Sequence, residues 1–255
     1  MKAVVLVTAR LKSTRLPRKI LSDMMGKPVL VHLLDRIKTA THVQEIVLCT
    51  STHLQDEPLI GLANREQVRC FRGSEEDVLE RLAQAAQWVQ AEYVVNITAD
   101  NIFVGPEFID RAVGRYEQTS EDLITGYQLP IGAYGWGINV EALQEVCAIK
   151  DEHDTEVWGD YFTKTGLFRV HDLEFEPPVH RPNLRLTLDY PEDLVVIRTI
   201  FDHLYGLGRV FPLREIIAFL DQRPDVVAIN QHCQQLYRAH LNASAPMKLK
   251  VDLQG

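Results

Sequence analysis

Four cysteines, at positions 49, 70, 147 and 233 of 255 residues, form no C-x-x-C pair. That spacing predicts neither a disulfide framework nor a cysteine-based zinc site. The nine histidines show no H-E-x-x-H spacing, and His153, among Asp151, Glu152 and Asp154, reads as a surface helix start. No G-x-x-x-x-G-K-[ST] phosphate loop and no G-x-S-x-G nucleophile elbow occurs. Gly132, Gly135 and Gly137 lack the G-x-G-x-x-G spacing, so a turn or a close approach of two backbones accounts for them. Positive charge is also short: 27 Lys and Arg against 35 Asp and Glu give a net charge of −8. A general nucleic-acid binder, which must displace counterions with an excess of basic residues, is therefore excluded. The apolar run Ala3–Val7 is far too short to span a membrane and no small-residue cleavage pattern accompanies it. A cytoplasmic location is expected, and the sequons at 96–98 and 242–244 carry no weight without a secretory signal.

What is present is an alternation of strand and helix signals. Apolar content of 46% and charged content of 24% fit one large globular α/β domain. Strands are predicted at 3–8, 46–49, 68–71 and 93–97. Val29, Leu30, Leu33, Leu34 and Ile37 share one helix face. Ser74 reads as an N-cap, with Glu75, Glu76 and Asp77 in the first turn of a helix to about Gln90. Pro106 opens the next helix. Strands separated by such helices predict a mostly parallel, Rossmann-like sheet with right-handed crossovers. The second half is less regular, with strands expected at 123–128, 167–175 and 184–188. Helices are expected at 140–147, 154–163, 191–205, 212–220 and 230–240. One domain over 1–242, helical beyond 190, with a polar mobile tail over 243–255, is the organisation expected.

Two constellations could carry chemistry. The first is the loop Ala9-Arg10-Leu11-Lys12-Ser13-Thr14-Arg15-Leu16-Pro17-Arg18-Lys19, with five basic side chains, two hydroxyls and no acid. It follows the first strand, at the carboxyl edge where open α/β sheets place ligands. Several cations at short range suit a triphosphate, and arginine adds forked hydrogen bonds. A solvated basic loop is the plainer alternative, disfavoured by position and by the acidic background. The second is Asp100 and Asp189, each ending an expected strand. Two carboxylates at one sheet edge suit Mg²⁺, which takes few protein oxygens and fills its shell with phosphate and water. Asp189 also reads as a helix start before Pro191, and Asp100 as a turn residue before Asn101. The aromatics Tyr134, Trp136, Trp158 and Tyr161 suit either a sugar pocket or the core.

The loop at 9–19, followed by Gly26-Lys27-Pro28, resembles the opening of the sugar-acid cytidylyltransferase family, which includes acylneuraminate and 3-deoxy-manno-octulosonate cytidylyltransferases. The resemblance continues through residues 72–81, 97–100 and 184–194, in the family's order, and is nearest to its SpsF-like spore-coat branch. It implies a nucleotide-diphospho-sugar transferase (GT-A-like) fold and activation of a nonulosonic or octulosonic sugar acid by CTP for surface polysaccharide. Carried over, Ala9, Arg10, Ser13, Arg15 and Lys19 contact the triphosphate, and Arg72 lies near the nucleotide. Asp100 and Asp189 hold Mg²⁺, and Arg15, Lys19 and Asp100 serve catalysis. A homodimer is also implied. Arg18 stands where the family usually has glycine, Lys12 where it has a small residue, and Asn101-Ile102 where the branch has Cys-Pro. Alternatives are the same fold acting on GTP or UTP, and a non-catalytic nucleotide-sugar-binding subunit. A glycosyltransferase would want a D-x-D pair, and Asp100 stands alone.

Overall fold

The computed structural model describes residues 1–13, 15–206, 209–243 and 247–250. Strand β1 (Ala3–Thr8) is buried along its whole length, as a strand covered on both faces must be. The two-residue strands β2 (Asp23–Met24) and β3 (Lys27–Pro28) form a small hairpin. Its turn residues, Met25 and Gly26, both have positive φ, as the tight I′ type requires. The chain continues as α1 (Val29–Ile37), β4 (Glu45–Ser51), α2 (Glu57–Arg65), β5 (Arg69–Gly73), α3 (Val78–Trp88), β6 (Tyr93–Thr98) and α4 (Pro106–Thr119). The second half holds β7 (Leu123–Thr125), β8 (Trp136–Asn139), α5 (Val140–Ile149), α6 (Asp160–Thr163) and β9 (Val170–Asp172). It ends with α7 (Pro191–Leu204), α8 (Leu213–Asp221), α9 (Pro224–Asn230) and α10 (Cys233–Ala243).

Seven strands pair in the order β5-β4-β1-β6-β8-β7-β9. The pairs β4–β5, β1–β4, β1–β6 and β7–β9 are parallel, and β8 runs antiparallel to both neighbours. Alternate residues of β1 feed opposite faces: Val5 and Val7 pack towards α1, α4 and α7, while Val4 and Leu6 pack towards α3 and α5. The fold is thus a mostly parallel α/β sandwich. The loop after β1 and the turn after β6 emerge side by side at its carboxyl edge, with Thr8 in register with Thr98.

Four local expectations are corrected. Ser74 does not cap α3; Asp77 does, its Oδ1 accepting from Glu80 N at 3.0 Å, and the helix starts at Val78. Residues 74–77 are drawn away from the helix because the carbonyls of Ser74 and Glu75 accept from Arg81, and that of Glu75 also from Arg10. The helix expected at 154–163 is confined to Asp160–Thr163, because Thr155 is buried with its hydroxyl on Asp77 Oδ1 at 2.9 Å. Residues 184–188 are extended but form no strand; a single bridge joins Arg185 to Ile131. The helix expected at 230–240 is instead α10, preceded by α9.

The three glycines at 132–137 mark close approaches. A Cβ on Gly132, which has φ 93°, would run into the backbone of Leu186 and Thr187. Only a bare glycine lets the 184–188 segment lie beside Ile131, where Leu186 N donates to Ile131 O at 2.6 Å. Of the tail beyond 243, residues 247–250 lie along Ile149–Asp151: Lys250 N donates to Ile149 O and Asp151 N to Lys248 O, each at 2.9 Å. Residues 244–246 and 251–255 lie outside the described residues.

Candidate active site

The loop after β1 is held from below by Leu11, with Leu16 packed partly buried against the same core. Leu11 is buried and its amide donates to Asp56 Oδ1 at 2.7 Å, while Asp56 is fully buried beneath it and also accepts from the Ser51 hydroxyl. Ser13 steadies the next turn, its hydroxyl accepting from Leu16 N at 3.3 Å. The loop therefore wraps the edge of a cavity of about 370 Å³ whose lining includes Ala9, Arg10, Lys12, Ser13, Arg15 and Lys19. Thr14 lies outside the described residues. The opposite side of the cavity is formed by Glu76, Val78 and Arg81, by Asp154, Glu156 and Trp158, and by His240 of α10.

At the floor, Lys19 Nζ donates to Asp100 Oδ2 at 2.7 Å and to Asp189 Oδ1 at 2.9 Å. Burial opposes the charge on Lys19, but the two carboxylates together outweigh it and hold the ammonium above the ordinary lysine pKa. Burial likewise works against the Asp189 carboxylate, and Lys19, Arg185 and Arg15 overcome it, keeping the group below the usual aspartate range. Arg15 reaches Asp189 Oδ1 at 3.4 Å and lies 5.2 Å from the Tyr190 ring centroid. Its Nη1 is buried with no hydrogen-bond partner among the described residues. A buried guanidinium N–H without an acceptor is costly unless an anion meets it.

Asp189 gets there by a route different from the one expected. It does not end a sheet strand; the extended segment before it runs past Gly132, and Leu188 N donates to Asp100 O at 3.0 Å, which ties the two aspartates together. Nor is Asp189 the helix cap. Tyr190 takes that position on α7 and Asp193 accepts from its amide at 2.9 Å, which leaves the Asp189 carboxylate to Lys19, Arg15 and Arg185. Asp100 sits in the turn after β6, in the cavity lining, with its carboxylate on Lys19.

Arg72 is not brought to the cavity. It lies at the end of β5, donates to the carbonyls of Ser51 and Thr52 at 3.2 and 2.9 Å, and pairs with Glu57 at 3.5 Å. Arg81 stands at the cavity instead, 1% exposed, with its Nε unpartnered among the described residues. Burial first, then repulsion from Arg10, pulls its pKa down to about 10. Sequence reasoning placed Arg81 inside a helix pattern; the available signal was Gly73, whose absent Cβ leaves room for the Arg81 side chain at 2.9 Å. Among the aromatics, Trp158 lines the cavity and Trp136 packs on it at 4.9 Å between ring centroids, whereas Tyr161 is core.

The three departures fall at different depths. Lys12 is at the rim, half-exposed and paired with Glu75 at 3.4 Å. Asn101 donates to Tyr134 O at 3.4 Å and Ile102 is fully buried. Arg18 is exposed, outside the cavity lining, with φ 54° and ψ 25°. A left-handed conformation costs a side-chain-bearing residue about 1 kcal/mol, which explains a glycine at this position. Arg18→Gly is therefore expected to raise stability by up to about 1 kcal/mol, partly offset by the freer unfolded chain, with turnover unchanged. A urea-denaturation midpoint that falls instead of rising counts against that account of the loop.

Residues 4–182 match the cytidylyltransferase family. This chain belongs to that family. It is similar to the spore coat polysaccharide biosynthesis protein SpsF of Bacillus subtilis, 29% identical over 227 residues that cover 86% of this chain and 94% of the relative. It is also similar to a 3-deoxy-manno-octulosonate cytidylyltransferase of Chloroherpeton thalassium, 33% identical over 184 residues and 71% of each chain. Among solved structures, a cytidylyltransferase from Leptospira borgpetersenii superposes with a TM-score of 0.81 at 22% identity, covering 89% of this chain and 97% of that one. The sheet and its helices are those of the nucleotide-diphospho-sugar transferase fold. The family match stops short of Asp189, so that residue's membership of the site rests on geometry.

Proposed function

We propose that this cytidylyltransferase activates a nonulosonic or octulosonic sugar acid with CTP, forming a CMP-sugar and pyrophosphate for surface polysaccharide biosynthesis. The observation that carries the reading is the cavity floor: an arginine with an unpartnered buried N–H beside two carboxylates that converge on one ammonium. Cationic donors lining one cavity, with Asp100 among the lining and Asp189 buried behind Lys19, suit a metal-bound triphosphate. The sugar-acid class is drawn from the name of the Chloroherpeton relative, and the polysaccharide context from that of SpsF.

In this reading the acceptor hydroxyl attacks the α-phosphorus in line and the bond to the bridging oxygen of pyrophosphate breaks. Arg15 and Arg10 orient the phosphates, and Lys19 neutralises charge that gathers on the departing group. Asp100 and Asp189 suit Mg²⁺ as a donor set: one hard oxygen of each meets at the Lys19 ammonium, while Arg185 holds the other oxygen of Asp189. Bound there, Mg²⁺ supplies Lewis-acid polarisation of the α-phosphate. The catalytic unit spans 1–242, with α10 adding His240 to the cavity lining and its Gln234 meeting the Arg185 that holds Asp189. The family resemblance extends the reading to a cytoplasmic homodimer.

Pyrophosphate release, measured with and without Mg²⁺ for four nucleotides against a panel of sugar acids, tests the proposal. Release that needs CTP, Mg²⁺ and one class of sugar acid is the expected result. Release with GTP or UTP moves the reading to another nucleotide, and tight binding without any release would leave a non-catalytic subunit.

A further inference from the structure

Away from the cavity floor, Glu192, His232 and Cys233 bring a carboxylate oxygen, an imidazole nitrogen and a thiol sulfur within 4.8 Å of one another. Glu192 is in the first turn of α7, Cys233 opens α10, and His232 immediately precedes it. His232 Nε2 lies 3.7 Å from Glu192 Oε1 and Cys233 Sγ 4.0 Å from Glu192 Oε2; sulfur and nitrogen are 3.7 Å apart. A tetrahedral zinc with metal–sulfur bonds of about 2.3 Å and metal–nitrogen or –oxygen bonds of about 2.0 Å needs S···N and S···O separations near ~3.5 Å and N···O near ~3.3 Å. Sulfur and nitrogen already stand near that separation, and each faces a different oxygen of the Glu192 carboxylate, so a rotation of that half-exposed carboxylate would offer one oxygen to both.

We propose that Glu192, His232 and Cys233 form a zinc site. Thiolate and imidazole together select a borderline-soft ion such as Zn²⁺ over Mg²⁺, so this site and the paired aspartates differ in metal chemistry. The exposed side chains of Glu192 (41%) and His232 (55%) leave the fourth position to water. Linear spacing could not reveal the cluster, because two of its ligands are adjacent in sequence and the third lies some forty residues earlier on another helix.

The site has a structural consequence for the cavity. A metal ion there fastens the start of α10 to the start of α7. One residue along α10, Gln234 Oε1 accepts from Arg185 Nη1 at 3.0 Å, and Arg185 also holds Asp189 at 3.0 Å. Tyr237 lies under the same guanidinium at 5.6 Å, and His240 lines the cavity. Glu192, His232 and Cys233 are thus positioning residues for the helix that brings Gln234 to Arg185 and His240 to the cavity.

The test is metal binding by the full chain after chelator treatment, with Zn²⁺ titrated against a chromophoric competitor and Co²⁺ used as a spectroscopic probe. One zinc per chain is expected, with a thiolate-to-cobalt charge-transfer band in the near ultraviolet. Cys233→Ser should abolish that band, and both it and His232→Ala should weaken zinc binding by about a hundredfold or more. His232 is exposed, so its variant keeps the test alive if Cys233→Ser misfolds; circular dichroism checks both. Zinc affinity unchanged in the two variants, a cobalt spectrum without the thiolate band, or no zinc retained at micromolar concentration each overturns the proposal. None of these readouts uses pyrophosphate release, so failure here leaves the proposed activity standing.

Discussion

Lys19→Ala is expected to keep the fold and lower kcat by about a hundredfold, the loss of about 3 kcal/mol that accompanies removal of one preorganised donor to developing charge. The geometry adds a second effect of opposite sign. Lys19 Nζ is the cation that separates Asp100 from Asp189, at 2.7 and 2.9 Å. Without it the two carboxylates face each other with less compensation, and a divalent cation no longer has to displace an ammonium. Mn²⁺ affinity, read by electron paramagnetic resonance of the free ion, should therefore rise while turnover falls. The fold tolerates the change because Asp189 keeps Arg185 at 3.0 Å and Asp100, with a side chain 23% exposed, reaches solvent. Turnover equal to that of the parent removes Lys19 from the reaction. Weaker Mn²⁺ binding removes the paired aspartates from the metal.

The first half of the chain was legible because its physics is local. Strands β1, β4 and β6 are apolar runs and β5 a weaker, mixed one, set among helices with one clear apolar face, and Pro106 marks a helix start by itself. The basic loop was legible for the same reason, as five cations following a buried strand. Its fixed shape was not, since Asp56, which holds Leu11, belongs to a later turn.

What resisted reading was long-range. Arg81 has the spacing of a helix residue, and only the approach of Gly73 sends its guanidinium to the cavity. Arg72, a few residues earlier, satisfies the ends of β4 instead. Residues 184–188 alternate like a strand, yet a single bridge to Ile131 replaces a ladder, and the Asp100 carbonyl and the Asn230 amide meet the segment elsewhere. The Asp100–Asp189 pair came from expecting two strand ends, whereas the juxtaposition depends on Gly132 having no Cβ. The pattern located the residues, and tertiary contacts set their directions.

The largest expected loss of stability is at Asp193, a residue outside the candidate chemistry. It is fully buried and accepts five hydrogen bonds: from Arg185 Nε and Nη2 at 2.9 Å each, from the amides of Asp189 and Tyr190 at 2.8 and 2.9 Å, and from Asn230 Nδ2 at 2.9 Å. Asp193→Ala strips the bidentate partner from Arg185, whose side chain is 2% exposed, and leaves that charge to Asp189 and Gln234. Breaking a buried pair from one side costs about 3–5 kcal/mol. At about 2–4 °C per kcal/mol for a chain of this size, Tm should fall by roughly 10 °C in calorimetry. The Asp193→Leu, Arg185→Met double variant separates support from positioning. Replacing both charges by apolar groups of similar volume is often neutral for stability, so most of the lost Tm should return. Turnover should not return, because Arg185 also fixes Asp189 at 3.0 Å beside Lys19. A double variant that regains both Tm and turnover would show that Asp189 is placed by its backbone alone, through Leu188 on Asp100.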